Sequence, residues 1–256
     1  VTGTLEEVRG GDVANQEPSF RDVAYSRRSI RDFEPTEVPP DVVEAIIQDA
    51  LTAASWSNTR PYRIAIATGE VRDRISQALK ANGTAIVQMR SRKRGTRIKG
   101  FLTALRLLRS DFRIPVKYPD DLRRRQVELG KALYGHLGVE RGDTEGRDRE
   151  FVRNMEFFGA PVALFFFVRR GMGVYSALDA GHLMQNLMLA AKARGLDTCA
   201  QGFLAFWSAP IRREFDIPKG YKLLCGMSLG YATKSHRNEF LPPVTEAAEV
   251  IIPAQK

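Results

Sequence analysis

The chain has 256 residues, 43% of them hydrophobic and 27% charged, a length and composition suited to one domain with a sizeable buried core. Its longest apolar run, Phe157 to Val168, is interrupted by Gly159 and Pro161 and is far too short for a transmembrane helix. The net charge of +9 is concentrated: residues 88–125 hold 13 Lys and Arg against three Asp, and the remainder is within one charge of neutral.

Residues 1–17 have no apolar period and read as a loose tail, with Glu6, Glu7 and Asp12 where a secretion signal would need an apolar core. Pro18-Ser19-Phe20 opens a short helix to Ser26. Pro39-Pro40-Asp41 starts a second, with Val42, Val43, Ile46, Ile47, Ala50 and Leu51 at helical spacing up to Ala54. Tyr62 to Thr68 reads as a strand, and Gly69-Glu70 leads into a helix to about Arg90. Residues 91–156 read as two or three helices broken at Gly100, Pro115, Pro119 and Gly142.

Pro161 to Val168 has the continuous apolar character of a strand covered on both faces. Ser176 to Arg194 is a helix apolar almost all round, so it belongs at the centre or in a subunit interface, and Gly195 stops it. Thr198 to Gln201 reads as a strand end, Ser208 to Phe215 as a helix, and Lys222 to Ala232 as a buried strand. The apolar tail 238–256 is expected to lie against another surface. The order is mixed α+β: one domain over 18–256, with a helical insert at 91–150 and a C-terminal arm at 238–256.

Gly226-Met227-Ser228-Leu229-Gly230 matches the serine-hydrolase elbow, but no helix follows it and no acidic residue separates Ser228 from His236. Ser176, Asp179 and His182 stand three residues apart on one helix and do not converge there into a triad. No His/Cys/Asp cluster has metal-ligand spacing, so no metal is expected. Neither a Walker loop nor a Rossmann glycine fingerprint is present. Cys199 and Cys225 read as reduced core thiols of a cytoplasmic protein. The basic stretch lacks the aromatic interleaving of nucleic-acid platforms, so a solvated helical face is the better reading of it.

Two stretches carry chemistry. Ser26-Arg27-Arg28-Ser29-Ile30-Arg31-Asp32-Phe33 packs three guanidinium groups and a hydroxyl where a phosphate and the electron-rich edge of a planar ring could sit. Ser55-Trp56-Ser57-Asn58-Thr59-Arg60-Pro61-Tyr62 is a polar loop entering an apolar strand. In this order, and with Gly195-Leu196-Asp197-Thr198-Cys199-Ala200-Gln201-Gly202 after the apolar helix, they resemble the FMN-dependent nitroreductase family, and the insert looks like that of its larger, nitrobenzoate-reducing members.

The resemblance implies a nitroreductase-like, antiparallel-dominated sheet flanked by helices in an intertwined homodimer, with one FMN in each of two interfacial clefts. Arg27, Arg28 and Ser29 would bind the phosphate and ribityl chain, and Arg31 would stabilise charge developing at the flavin N1–C2 edge. Ser55, Trp56, Ser57 and Asn58 would reach the flavin of the partner subunit, with Trp56 and Phe203 on the substrate face. Ala200, Gln201 and Gly202 would present backbone amides to N5 and O4, where Gln201 replaces the Glu of some members.

The family's C-terminal phosphate-binding arginines are missing: Leu241 and Val244 stand in their places, which leaves Arg237, Lys234 and Arg60 as substitutes. The implied activity is two-electron, ping-pong reduction of a small aromatic acceptor, a nitroaromatic or quinone, by NADPH or NADH. The alternatives are other flavin chemistry of the same superfamily (dehalogenation, alkene reduction, flavin fragmentation) or a basic nucleic-acid-binding protein.

Overall fold

The computed structural model describes residues 18–89, 93–107, 110–112 and 117–254. The expected tail at 1–17 and part of the basic insert lie outside them. The apolar run before position 170 forms strand β2 (Val162–Arg169), in which every residue but the last is buried. Alternation explains why. Ala163, Phe165 and Phe167 enter one core cluster, while Val162, Leu164, Phe166 and Val168 enter the other.

Around β2 stand β1 (Tyr62–Ala67), β3 (Asp197–Gln201) and β4 (Tyr221–Gly230), in the order β1-β2-β4-β3 with every neighbour antiparallel. A register shift at Phe166/Phe167 marks a bulge where β2 meets β4. One face of the sheet is covered by α2 (Pro40–Ala50) and α7 (Val174–Ala193), through Ile46, Ala180, Leu183 and Leu187. The other carries α3 (Gly69–Met89), α6 (Thr144–Met155) and α8 (Ser208–Arg212), through Ile75, Leu79, Met155 and Ile211. A short helix α1 (Phe20–Ser26), with Ser19 and Asp22 closing a capping box, leads into the arginine-rich segment.

The insert supplies α4 (Arg94–Leu107), α5 (Asp120–His136) and α6. Gly100, expected to break a helix, lies inside α4. A Cβ there would come within 2.6 Å of the Met89 backbone nitrogen, so the glycine permits two helix backbones to touch. α2 ends at Ala50 rather than Ala54, because Leu51 to Ala53 turn out of the helix with Thr52 N–H and Oγ1–H donating to Asp49 O. α8 stops at Arg212, short of the expected Phe215. The Gly226–Gly230 motif lies wholly within β4 with Ser228 fully buried, which removes the hydrolase elbow. Among the described residues no helix is long and apolar enough to cross a membrane.

Candidate functional site

After α1 the chain runs along the outer edge of β3. Ser29 bridges Thr198, and Ile30 N–H donates to Thr198 O at 3.0 Å. Burial of Ile30 and Phe33 pins this segment from below, leaving Ser29 exposed and Arg27, Arg28 and Arg31 half-buried. Asn238 locks it from the far side: its Oδ1 accepts from Arg31 N–H at 3.0 Å and its Nδ2 donates to Asp32 O at 2.7 Å. The Arg31 guanidinium donates to Ser29 O at 3.1 Å.

Seven other guanidiniums, those of Arg72, Arg74, Arg125, Arg153, Arg194, Arg212 and Arg237, each meet a carboxylate. Among the described residues Arg27, Arg28 and Arg31 form no ion pair. Three uncompensated cations within five positions repel one another and attract an anion. Their reach is felt at Cys199 on β3. Burial pushes its thiol up to about 11 against the opposing pull of Arg31 and Arg27.

The second stretch forms a 3-10 turn at Trp56–Asn58, with Ser57, Asn58 and Arg60 at φ of 48°, 56° and 44°. Asn tolerates this left-handed region, whereas Ser and Arg are strained in it. α7 holds the loop in place. Both Asp179 carboxylate oxygens accept from Trp56 N–H at 3.1 Å, and His182 Nδ1–H donates to Ala54 O at 3.2 Å. Ser55 Oγ accepts from Arg60 N–H at 3.2 Å. The Trp56 ring, 55% exposed, packs on Tyr175 at 4.4 Å between centroids.

This loop enters β1, whereas the arginines border β3, on opposite edges of the sheet. Three strand spacings separate those edges, roughly 14 Å. Among the described residues no hydrogen bond or ion pair joins the two groups.

At the end of β3, Gly202 starts a 3-10 turn, so its N–H has no partner within the helix, and the space where a Cβ would sit is open. The turn is seated closely on β4: a Cβ on Gly226 would come within 2.6 Å of Leu204 Cδ1. Ala200 is exposed, while Gln201 is 3% exposed with its backbone N–H beside the Cys225 thiol, which burial pushes up to about 11. Next to Gly202, Phe203 packs with Phe151, Phe206 and Trp207 at centroid distances of 4.8 to 5.2 Å.

Of the substitute phosphate ligands, Lys234 is exposed, Arg60 sits on the distant loop, and Arg237 donates to Glu150 Oε1 at 2.6 Å. Arg153 of α6, just past the insert, meets Asp32 at 2.5 Å and donates to Arg31 O at 3.0 Å, so the end of α6 fastens the arginine segment too. Burial alone would raise the Asp32 carboxyl, but hydrogen bonds from Arg153 and Thr233 outweigh it and hold the group below the usual carboxylate range.

A family model described as "Nitroreductase family" matches residues 24–231. The chain belongs to the nitroreductase family. It is 35% identical over 222 residues to a 4-nitrobenzoate reductase of Pseudomonas putida, covering 84% of this chain and 86% of the relative. Among solved structures it is similar to the FMN-dependent nitroreductase NfnB from Mycobacterium smegmatis in complex with NADPH. The TM-score is 0.79 at 28% identity, over 92% of this chain and 97% of the other. An FMN- and NADPH-dependent NfnB from sphigopyxis sp. strain HMH gives a TM-score of 0.81 at 29% identity, over 93% of this chain and 100% of the other.

Within this nitroreductase fold, sequence reasoning passed over Arg153 and Asn154, which act on segments remote in the chain. It weighed Asp179 only as an interface or core polar residue, and met Asn238 only as part of a weak C-terminal match, Gly230-Tyr231 with Asn238-Glu239-Phe240, without the anchoring role either residue has.

Proposed function

We propose that this protein is an FMN-dependent NAD(P)H oxidoreductase that reduces nitroaromatic or quinone-like acceptors two electrons at a time, and that it works as a homodimer. The observation that carries this reading is the cluster of Arg27, Arg28 and Arg31, which form no ion pair among the described residues and border β3, the strand that leads into the glycine turn at Gly202. A polyanionic, planar cofactor with a hydrogen-bonding edge fits that donor set. The names of the relatives, nitroaromatic reductases and FMN- and NADPH-dependent enzymes, support it.

FMN, when bound, supplies the centre that takes a hydride from the nicotinamide and passes it to the acceptor. The chain's own residues do the rest. Arg27, Arg28 and Ser29 hold the phosphate and ribityl chain, with Lys234 available at the rim and Arg237 already engaged by Glu150. Arg31, fixed by Asn238, places a positive charge at the pyrimidine edge, where negative charge grows during reduction. The Gly202 N–H, at the start of its turn, would serve the opposite edge, with Ala200 and Gln201 placing it there from β3; the Gln201 N–H itself lies beside the Cys225 thiol. Phe203 and its aromatic neighbours wall the acceptor space and exclude water.

Homodimerisation completes this site, because the Ser55–Arg60 loop cannot meet its own arginine cluster across the sheet. In the dimer the loop of one subunit closes over the cluster of the other. Trp56 then covers the substrate face, and Ser55, Ser57 and Asn58 supply polar contacts. The exposed apolar face of α7 favours this pairing, with Val174 77%, Leu178 51% and Tyr175 44% exposed. So do Leu241, Val244 and Val250 to Ile252 of the C-terminal arm, all exposed in one chain.

The test is to titrate the purified protein with FMN by calorimetry, then follow anaerobic NADPH oxidation with 4-nitrobenzoate and a quinone. Stoichiometric FMN binding by a dimer and turnover with either acceptor are expected. A monomer indifferent to FMN refutes the reading.

A further inference from the structure

Beneath the end of β3 lies a buried polar chain that links three elements. Gln201 Nε2 donates to Asn154 O at 2.8 Å and to Asn154 Oδ1 at 2.7 Å, reaching the C-terminal end of α6. Gln201 Oε1 lies 2.6 Å from Ser228 Oγ, and the same hydroxyl is 2.9 Å from Phe157 O. Gln201 is 3% exposed and Ser228 fully buried, so water does not substitute for these partners.

The proton inventory of the chain is strict. The two N–H bonds of the Gln201 amide meet two oxygens, one of them a carbonyl in the last turn of α6, where the helix carries its negative dipole end. Turning the amide over would set its oxygen against Asn154 O. The Ser228 hydroxyl has one proton for two acceptors. Every link therefore requires a neutral donor at position 201, and Asn154 supplies both oxygens that hold it.

We propose that Asn154 is a positioning residue: by fixing the Gln201 side chain, it sets the Gln201–Gly202 peptide at the height where that peptide meets the cofactor edge. The inference rests on the FMN-binding reading. It goes beyond it by tying the site to the C-terminal end of α6, and by making the amide at 201 a requirement of this chain's own packing. The strained turn that follows α6, with Phe157 and Phe158 at φ of 54° and 55°, belongs to the same assembly. Its Phe158 O accepts from Phe33 N–H at 3.1 Å, so one loop sets the height of both the arginine segment and the β3 end.

Three variants test this against the wild type: Asn154→Ala, Asn154→Asp and Gln201→Glu. FMN affinity is read by calorimetry, and the shape of the visible band by absorption of bound FMN. Asn154→Ala removes one acceptor and is expected to weaken FMN binding by about tenfold with a changed band, and Asn154→Asp, which keeps an acceptor, to restore both. Gln201→Glu sets a carboxylate against two oxygens. Measured against the wild type at the same pH, which cancels the ionisation of the FMN phosphate, it is expected to bind FMN about tenfold more weakly at pH 8 than at pH 6, where protonation returns a donor.

Around position 201, Ser228, Phe157 O and Asn154 are neutral, and burial pushes the Cys199 and Cys225 thiols up to about 11. The charged groups of α6, Glu150 and Arg153, are ion-paired with Arg237 and Asp32. Should Gln201→Glu fail to fold, the two Asn154 variants decide alone. Wild-type affinity and band in Asn154→Ala, equal losses in Asn154→Ala and Asn154→Asp, or a Gln201→Glu affinity whose ratio to the wild type does not change with pH would each overturn the proposal. A wild type that does not bind FMN would instead refute the functional reading.

Discussion

Removing the Asp179 side chain tests whether the Trp56 loop is held ready or assembles on demand. The carboxylate is 2% exposed, and both its oxygens lie 3.1 Å from Trp56 N. A hydrogen bond to a charged acceptor contributes about 1.5–3 kcal/mol. Against it stands the strain of Ser57 and Arg60 in the left-handed region, of order 1–3 kcal/mol for each residue. The anchor and the strain are of similar size, so Asp179→Ala should release the loop rather than merely soften it. If the loop closes over FMN in the partner, losing about 2 kcal/mol of preorganisation weakens FMN binding about 30-fold. Asp179→Asn keeps an acceptor and should stay within a few-fold of wild type. Calorimetric FMN affinity is the measurement, with acrylamide quenching of Trp56 reporting the loop, since Trp207 is only 1% exposed. Wild-type affinity in Asp179→Ala would refute the argument that the strained geometry is functional.

Three further outcomes are expected. Arg31→Ala should leave a folded, FMN-binding protein whose reduction by NADPH in stopped flow is slower by about a hundredfold, as for loss of one electrostatic donor at a charge-developing edge; an unchanged rate removes the assigned role. Leu178→Glu, placed on the exposed face of α7, should convert the proposed dimer to monomer in analytical ultracentrifugation and abolish tight FMN binding with it. Burial alone would raise the Asp111 carboxyl, but hydrogen bonds from Arg212, Leu223 N–H and Ser208 outweigh it and hold the group below the usual carboxylate range. A depressed folded pKa stabilises fully above about pH 4 and is lost as pH falls further, so Asp111→Asn should flatten the acid limb of thermal melting. At neutral pH the same change should cost about 1–3 kcal/mol.

How far the chain could be read in advance depended on how local the causes were. β2 was legible because a strand covered on both faces must be apolar at every position, and Val162 to Val168 are. α7 was legible as a central or interfacial helix for the same reason. Gly100 misled because a glycine inside a helix pattern looks like a break until the neighbouring backbone that needs it is in view. The arginine segment could be put forward as an anion site from its sequence, but its lack of ion pairs among the described residues could not be foreseen: that depends on where the carboxylates lie. Asp179 and Asn154 act across 123 and 47 residues respectively, distances over which no periodicity carries information.

Because β2 sends alternate side chains into two clusters that the sheet keeps apart, the protein has two interiors with separate tenants. One supports the aromatic wall and the insert; the other supports the helix that the proposed dimer would share. Changes made on opposite sides should add without interaction. Such a partition lets a lineage remodel what the enzyme accepts while leaving its assembly untouched, and the thin layer of backbone between the two is the part least free to drift.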